Sequence, residues 1–241
     1  MSALDDLAVQ PFHDADAPQR ARMLSRLADT ELFVALTAEP VDDRMTLRMF
    51  PLDTGAVALA CDGEDRLADF FGAAVAYVAM PGRAVAALLR DQGAGLLVNP
   101  GLPSEMLLDA GMLDWLTGVL AAAPQADQAR LALTAPRDGT VDDLAQPLAE
   151  RLGDMRGLIS GAALAGVQGG GHVLILTGAE PDHQPTIAKA LAEALAFLPD
   201  QPGGVDVSFA DALPGNALQF DLTPPERPAP PPRVKGPPIL R

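Results

Sequence analysis

The sequence predicts an α/β fold, α+β overall, with a mixed-sheet N-terminal domain followed by a ferredoxin-like βαββαβ C-terminal domain. Three observations carry this reading. Hydrophobic residues make up 49% of the 241-residue chain, enough to bury sizeable cores. Short apolar runs of strand length alternate with stretches whose apolar residues recur at helical spacing. After residue 130 the elements fall in the order β-α-β-β-α-β, with a glycine-rich turn between the two central strands.

Residues 1–15 read as an irregular leader and residues 16–123 as the first domain. Asp16 can cap a helix with Pro18 at its first position, along which Met23, Leu24 and Leu27 form an apolar stripe until about Asp29. ELFVAL (31–36), LRMFPL (47–52) and AVALAC (56–61) read as strands, and Asp53-Thr54-Gly55 between the last two is a hairpin signal, so this portion is antiparallel. Glu64 to Phe71 sets Leu67, Phe70 and Phe71 on one helical face, and AVAYVAM (74–80) follows as a buried strand. GRAVAALLRDQG from Gly82 is a helix with Val85, Leu88 and Leu89 on one face, stopped at Gly93. GLLV (95–98) is the next strand, and the strand, helix, strand succession with short links predicts a parallel pair. Ser104 and Glu105 open a helical region through Leu108, continued from Leu113 to Ala122 and ended by Pro124.

A polar, proline-containing linker is predicted at 124–129, and the second domain at 130–222. RLALTA from Arg130 is its first strand. Thr140 with Asp143 resembles a capping box at the start of a helix to about Leu152, which Pro147 should kink or shorten. GLISGAALAGV and HVLILTG, joined by QGGG, form an antiparallel hairpin. Ile187, Leu191, Leu195 and Leu198 mark a helix, and VDVSF from Val205 alternates as a half-buried strand. The proline-dominated tail, 223–241, reads as polyproline II or disordered chain, with a partner that docks Pro-rich segments as the functional alternative.

Thirty-two acidic against 17 basic residues give a formal net charge of −15, whose field repels phosphate backbones and anionic lipid. Aromatic residues, at 4%, are too few for a ladder of stacked bases. Neither a nucleic-acid nor a membrane partner is expected. The longest apolar run, FFGAAVAYVAM from Phe70, falls short of the ~18 residues of a membrane-spanning helix, and MSALDDLAVQ lacks a signal-peptide pattern. A lone Cys61 permits no internal disulfide, which fits a reducing, cytoplasmic setting.

The residues that bear chemistry form few recognisable patterns. Gly169-Gly170-Gly171 lacks the Lys and Ser/Thr of a phosphate loop and lies between two strands, so it reads as a turn. His13, His172, His183 and Cys61 show no zinc spacing, and Asp42-Asp43 and Asp142-Asp143 read as solvated carboxylates; neither metal nor cofactor is expected. No G-x-S-x-G is present. Cys61 ends an apolar strand beside Asp62, Glu64 and Asp65, which would raise its thiol pKa and make it a poor nucleophile. The strongest candidate is Asn99-Pro100-Gly101, at the carboxyl end of a strand, where ligands of open sheets tend to bind and helix-start amides can hold an anion. Asn-Pro-Gly is equally a strong turn on backbone grounds alone. Arg66 and Arg83, at the starts of the two preceding helices, are its candidate anion partners.

The segments ALACDGEDRLADFFG, YVAMPGRAVAALL and GAGLLVNPG resemble the N-terminal domain of the SseB family, named for enhanced serine sensitivity. Glu64, Arg66, Leu67, Gly82, Arg83, Asn99, Pro100 and Gly101 are the matching positions. Where many members carry an aromatic-Thr-Ser, this chain has Ala60-Cys61-Asp62. From about Gly157 to Phe209 it resembles the family's C-terminal domain more weakly. The resemblance brings no catalytic residues or cofactor. It implies a non-catalytic cytoplasmic binding or regulatory protein with an unknown protein or small-metabolite partner, connected with serine or sulfur amino-acid homeostasis. The alternative is an enzyme or metabolite-binding protein with an anion site at the Asn99 loop. A homo-oligomer through the edge of the C-terminal sheet is a further expectation.

Overall fold

The computed structural model describes residues 2–223 except 41, 43, 44, 54 and 125–130. The predicted linker and tail therefore lie, almost entirely, outside the described residues. In chain order the first elements are α1 (Ala3–Leu7), α2 (Ala17–Asp29), β1 (Glu31–Ala35), β2 (Met49–Leu52), β3 (Gly55–Cys61), α3 (Glu64–Phe71), β4 (Tyr77–Pro81), α4 (Gly82–Asp91), β5 (Gly95–Val98), β6 (Met106–Leu108) and α5 (Ala110–Leu120). The six strands form one mixed sheet of order β4-β1-β3-β5-β6, with β2 paired to β3.

The α/β class and the antiparallel β2–β3 hairpin match the sequence reading. The parallel partner of β5, however, is β3 and not the preceding strand β4, which lies across β1. Because β1 is antiparallel to both β3 and β4, the strands β3, β4 and β5 all point their carboxyl ends to one edge of the sheet. Residues 62, 82 and 99 leave the sheet at that edge.

Two parts of the first half differ from expectation. The leader contains α1, whose Ser2 hydroxyl accepts from the Asp5 amide while the Asp5 carboxylate accepts from the Ser2 amide, a reciprocal cap. Leu4 and Phe12 are buried in the main core, so the segment is anchored by apolar burial. Residues 106–108, expected in a helix, are β6, antiparallel to β5. The turn at 99–105 reverses the chain, and the alternation of buried Met106, exposed Leu107 and buried Leu108 fits a strand with one face on the core. Helix α5 then begins at Ala110, capped by Asp109.

The later elements are β7 (Leu133–Thr134), α6 (Asp138–Asp154), β8 (Gly161–Val167), β9 (His172–Thr177), a 3₁₀ turn (Pro181–His183), α7 (Gln184–Ala196), β10 (Val205–Phe209) and β11 (Leu218–Phe220). The β8–β9 hairpin is as predicted, and α6 and α7 share one core with Ala162, Leu174 and Leu176 on the same sheet face. The sheet order departs from the ferredoxin-like pattern. It runs β10-β9-β8-β11, with β7 beside β8 and β10 parallel to β9, whereas a split βαβ sets its first strand between the third and the fourth. With only two residues in β7, the first strand is too short to hold that central place.

Thr140 is no cap: Arg137 takes that position, and the Thr140 hydroxyl, inside the helix, donates to Gln201 Oε1 at 2.7 Å. Pro147 does not shorten α6, because Leu144, Leu148 and Leu152 dock its stripe into the core. The two halves meet where Phe197, after α7, joins the first core and stacks edge to face on Trp115 of α5 at 5.8 Å.

Candidate functional site

Asn99 leaves β5 with φ 48°, the left-handed region that asparagine tolerates better than most L residues. Its amide extends the parallel ladder by donating to the Ala60 carbonyl at 3.0 Å. The side chain is wholly buried and bridges two segments: Oδ1 accepts from the Asp62 amide at 3.0 Å, and Nδ2 donates to Ser104 Oγ at 3.0 Å. Ser104, also wholly buried, donates in turn to Asp5 Oδ1 at 2.6 Å.

Asp5 is the junction of the cluster. Its two oxygens accept from Ser104, from the Ser2 amide and from both terminal nitrogens of Arg66. The Arg66 hydrogen bond, aided by the Ser104 hydroxyl, outweighs burial and holds this carboxyl well below the usual carboxylate range. Arg66 also donates to Asp62 Oδ1 at 2.8 Å, and its own ionisation moves up mainly through Asp5. The other Asp62 oxygen is buried without a hydrogen-bond partner among the described residues.

The anion position that sequence reasoning assigned to this loop holds a carboxylate of the chain itself. The Gly101 amide donates to Glu105 Oε2 at 2.6 Å, and the Leu102 amide to the Asn99 carbonyl at 3.1 Å. With Gly101 at φ 75°, the 99–105 segment is a turn clasped by its own side chains. The clefts of the described residues lined by Arg22, by Arg156, by Gly55 and by Ser160 do not include Asn99, Pro100 or Gly101.

Of the two arginines, Arg66 joins the Asn99 cluster and Arg83 does not. Arg83, in the first turn of α4, pairs with Asp29 at the end of α2 and reaches Glu193 of α7 at 3.1 Å. Asp29 is shared with Arg151 of α6 at 2.6 Å, and Glu193 with Lys189 at 2.9 Å. Arg22–Glu150 at 2.6 Å and Arg26–Asp154 at 3.2 Å extend this seam between the first half and the helices of the second. Burial opposes ionisation of Asp29, but Arg83 and Arg151 overcome it and lower its pKa. A cleft of about 60 Å³ lies along the seam, lined by both signs of charge.

Sequence reasoning missed Asp5, Asp62, Ser104 and Glu193. The S-x-x-D spacing at 2–5 was a usable cap signal for Asp5. Cys61 matches its expected character: it is 1% exposed, and burial, reinforced by the Asp62 charge, pushes its thiol up to about 11. His172 is buried with Nε2 accepting from the Arg137 amide at 3.3 Å, and burial lowers its pKa. Among the described residues no group of three or more His, Cys, Asp or Glu is placed to hold a metal ion, and no helix is long and apolar enough to cross a membrane.

No curated protein and no solved structure matches the chain. A family model does, over residues 7–115, from the end of α1 into α5, and so it takes in Arg66, Gly82, Arg83 and the whole Asn99 turn. The match stops before the second sheet. Over those residues the chain is similar to the SseB protein N-terminal domain, the family that the sequence resemblance pointed to.

Proposed function

We propose that the chain is a non-catalytic cytoplasmic binding or regulatory protein, in which residues 124–129 join the SseB N-terminal domain to a C-terminal domain of the same family. The observation that supports this reading is the closure of the Asn99 cluster. Catalysis by proton transfer or nucleophilic attack requires a group free to reach a substrate. Asp5 is surrounded by donors, Arg66 by carboxylates, and the Cys61 thiol is protonated and buried. The cluster's work is mechanical: it ties α1, the start of α3 and the 99–105 turn to one edge of the sheet.

The family's name supports serine or sulfur amino-acid homeostasis as the setting, with a protein or a small metabolite as the partner. A thermal-shift screen of the full chain against amino acids, nucleotides and phosphorylated metabolites tests the reading. A ligand that raises the midpoint equally in the parent and in Arg66→Ala, each measured against its own unliganded midpoint, supports binding away from the loop. A phosphorylated ligand whose shift disappears in Arg66→Ala, and whose turnover can be followed, sinks the non-catalytic reading in favour of an anion site at the loop.

A further inference from the structure

The two faces of the first sheet are unequally covered. Among the described residues one is packed by α1, α2, α4 and α5, the other only by the eight-residue α3. On that second face Phe33 and Tyr77 meet edge to face at 5.3 Å, Phe50 and Phe71 at 6.3 Å, and Phe70 and Phe71 at 5.2 Å. Half of the chain's aromatic residues are thus gathered on one sheet face, in a protein that has only eight Phe, one Tyr and one Trp. The cover is incomplete: Phe70 is 47%, Leu107 46% and Leu52 42% exposed. Exposed Glu64, Asp65 and Asp69 on α3 make its rim acidic. Arg48 demonstrates what such a surface accepts, for its guanidinium carbon lies 5.1 Å from the Phe71 ring centroid.

The chain carries a segment of matching chemistry. Residues 224–241, PPERPAPPPRVKGPPILR, lie outside the described residues and contain eight prolines, with Arg227, Arg233, Lys235 and Arg241 against the single Glu226. Proline-rich segments dock onto aromatic-lined surfaces with little loss of conformational freedom. The segment's positive charge opposes both the acidic rim and the chain's net −15. Its point of departure is suitable as well. The Leu222 carbonyl accepts from Arg156 Nε at 3.0 Å, just past α6, and Arg151 of α6 pairs with Asp29 beside Arg83, at the carboxyl end of β4 and on the α2 and α4 side of the first sheet, so the segment has only the edge strand β4 to pass round. Tyr77 begins that edge strand. In polyproline II form 18 residues reach about 55 Å at about 3.1 Å each, several times the ~10 Å thickness of a packed layer.

We propose that residues 224–241 fold back on their own chain and cover the aromatic face of the first sheet. The full chain bearing a nitroxide at Val234→Cys tests this; Cys61, buried and protonated at neutral pH, stays unlabelled. Relative to the reduced label, NMR signals of Leu52, Phe70 and Leu107 should fall by about half or more, since a ring-stacked segment stays within contact distance, while Leu116 on the opposite face keeps its intensity. Phe70→Ser, an exposed change that leaves the core intact, should restore the signals. No attenuation in the parent overturns the proposal, as does attenuation that survives Phe70→Ser. Attenuation that passes from nitroxide-bearing chains to separate isotope-labelled chains makes the occupant a second copy, and overturns it too.

Discussion

Arg66 and Arg83 hold equivalent positions in the fold and end in different structures. Each stands in the first turn of a helix that leaves the same edge of the first sheet, and each lies between two carboxylates. Arg66, 19% exposed, closes a cluster whose members have no other cationic partner among the described residues. Arg83, 37% exposed, joins a seam in which Asp29 keeps Arg151 and Glu193 keeps Lys189 if it is removed. Burial and redundancy, not the count of contacts, set what each arginine contributes.

The largest expected effect tests the frame that positions Arg83, with no charge altered. A Cβ on Gly82 would lie 2.1 Å from the Leu27 carbonyl oxygen, so Gly82→Ala must push α4 away from the end of α2. We expect a loss of about 4 kcal/mol, at the upper end for overpacking because the obstruction is backbone, read as a lower denaturation midpoint in urea. Next is Asn99→Ala, which leaves the buried Ser104 hydroxyl and the Asp62 amide short of a partner, at a cost of about 3 kcal/mol. Asn99→Gly should be milder by about 1 kcal/mol, because it relieves the left-handed backbone while losing the same bonds. Equal losses in the two variants would mean that the φ of 48° carries no penalty.

What the sequence made legible follows the range of the interactions involved. The helix Glu64–Phe71 and the hairpin of β8 and β9 were readable because their signals are local: an apolar face, a following glycine and a glycine turn. Asn99-Pro100-Gly101 was readable as a turn for the same reason. Strand β6 was not, since three residues carry too little pattern and its identity comes from pairing with β5. Asp5 lies 61 residues from Arg66 and 99 from Ser104, and Glu193 lies 110 from Arg83, so no spacing could announce those partners. The placement of β10 beside β9 likewise depends on how a short β7 leaves the centre of the sheet open.

Removal of the Arg66 guanidinium sharpens the comparison through pH. Arg66→Ala leaves Asp5 and Asp62 without their cation, and we expect about 2–3 kcal/mol of destabilisation at neutral pH. The Asp5 carboxyl ionises below its ordinary value in the folded chain, so its pairing stabilises fully above about pH 4 and is lost as pH falls toward the folded value. The gap between parent and variant should therefore be constant from pH 7 to about 5 and narrow below about 4. A gap that widens on acidification would show that Asp5 is not the group responsible.

The smallest effect is expected at Arg83, and its smallness is the informative outcome. Arg83→Ala removes one cation from a seam that retains Arg151 on Asp29 and Lys189 on Glu193, so no buried carboxylate is stranded. A partly exposed pair of this kind contributes up to about 1 kcal/mol, and salt screens it. The cost should shrink between 0.05 and 0.5 M salt, on the order of one Debye-length change, whereas the Arg66→Ala cost, borne by a pair screened from solvent, should hardly move. Trp115, stacked on Phe197 across the same junction, offers a fluorescence readout of whether the halves separate. If Arg83→Ala instead costs as much as Arg66→Ala and the loss is independent of salt, then Glu193, only 4% exposed, depends on Arg83 more than on Lys189. The seam would then be a closed cluster like its neighbour, and the redundancy that separates the two arginines would be refuted.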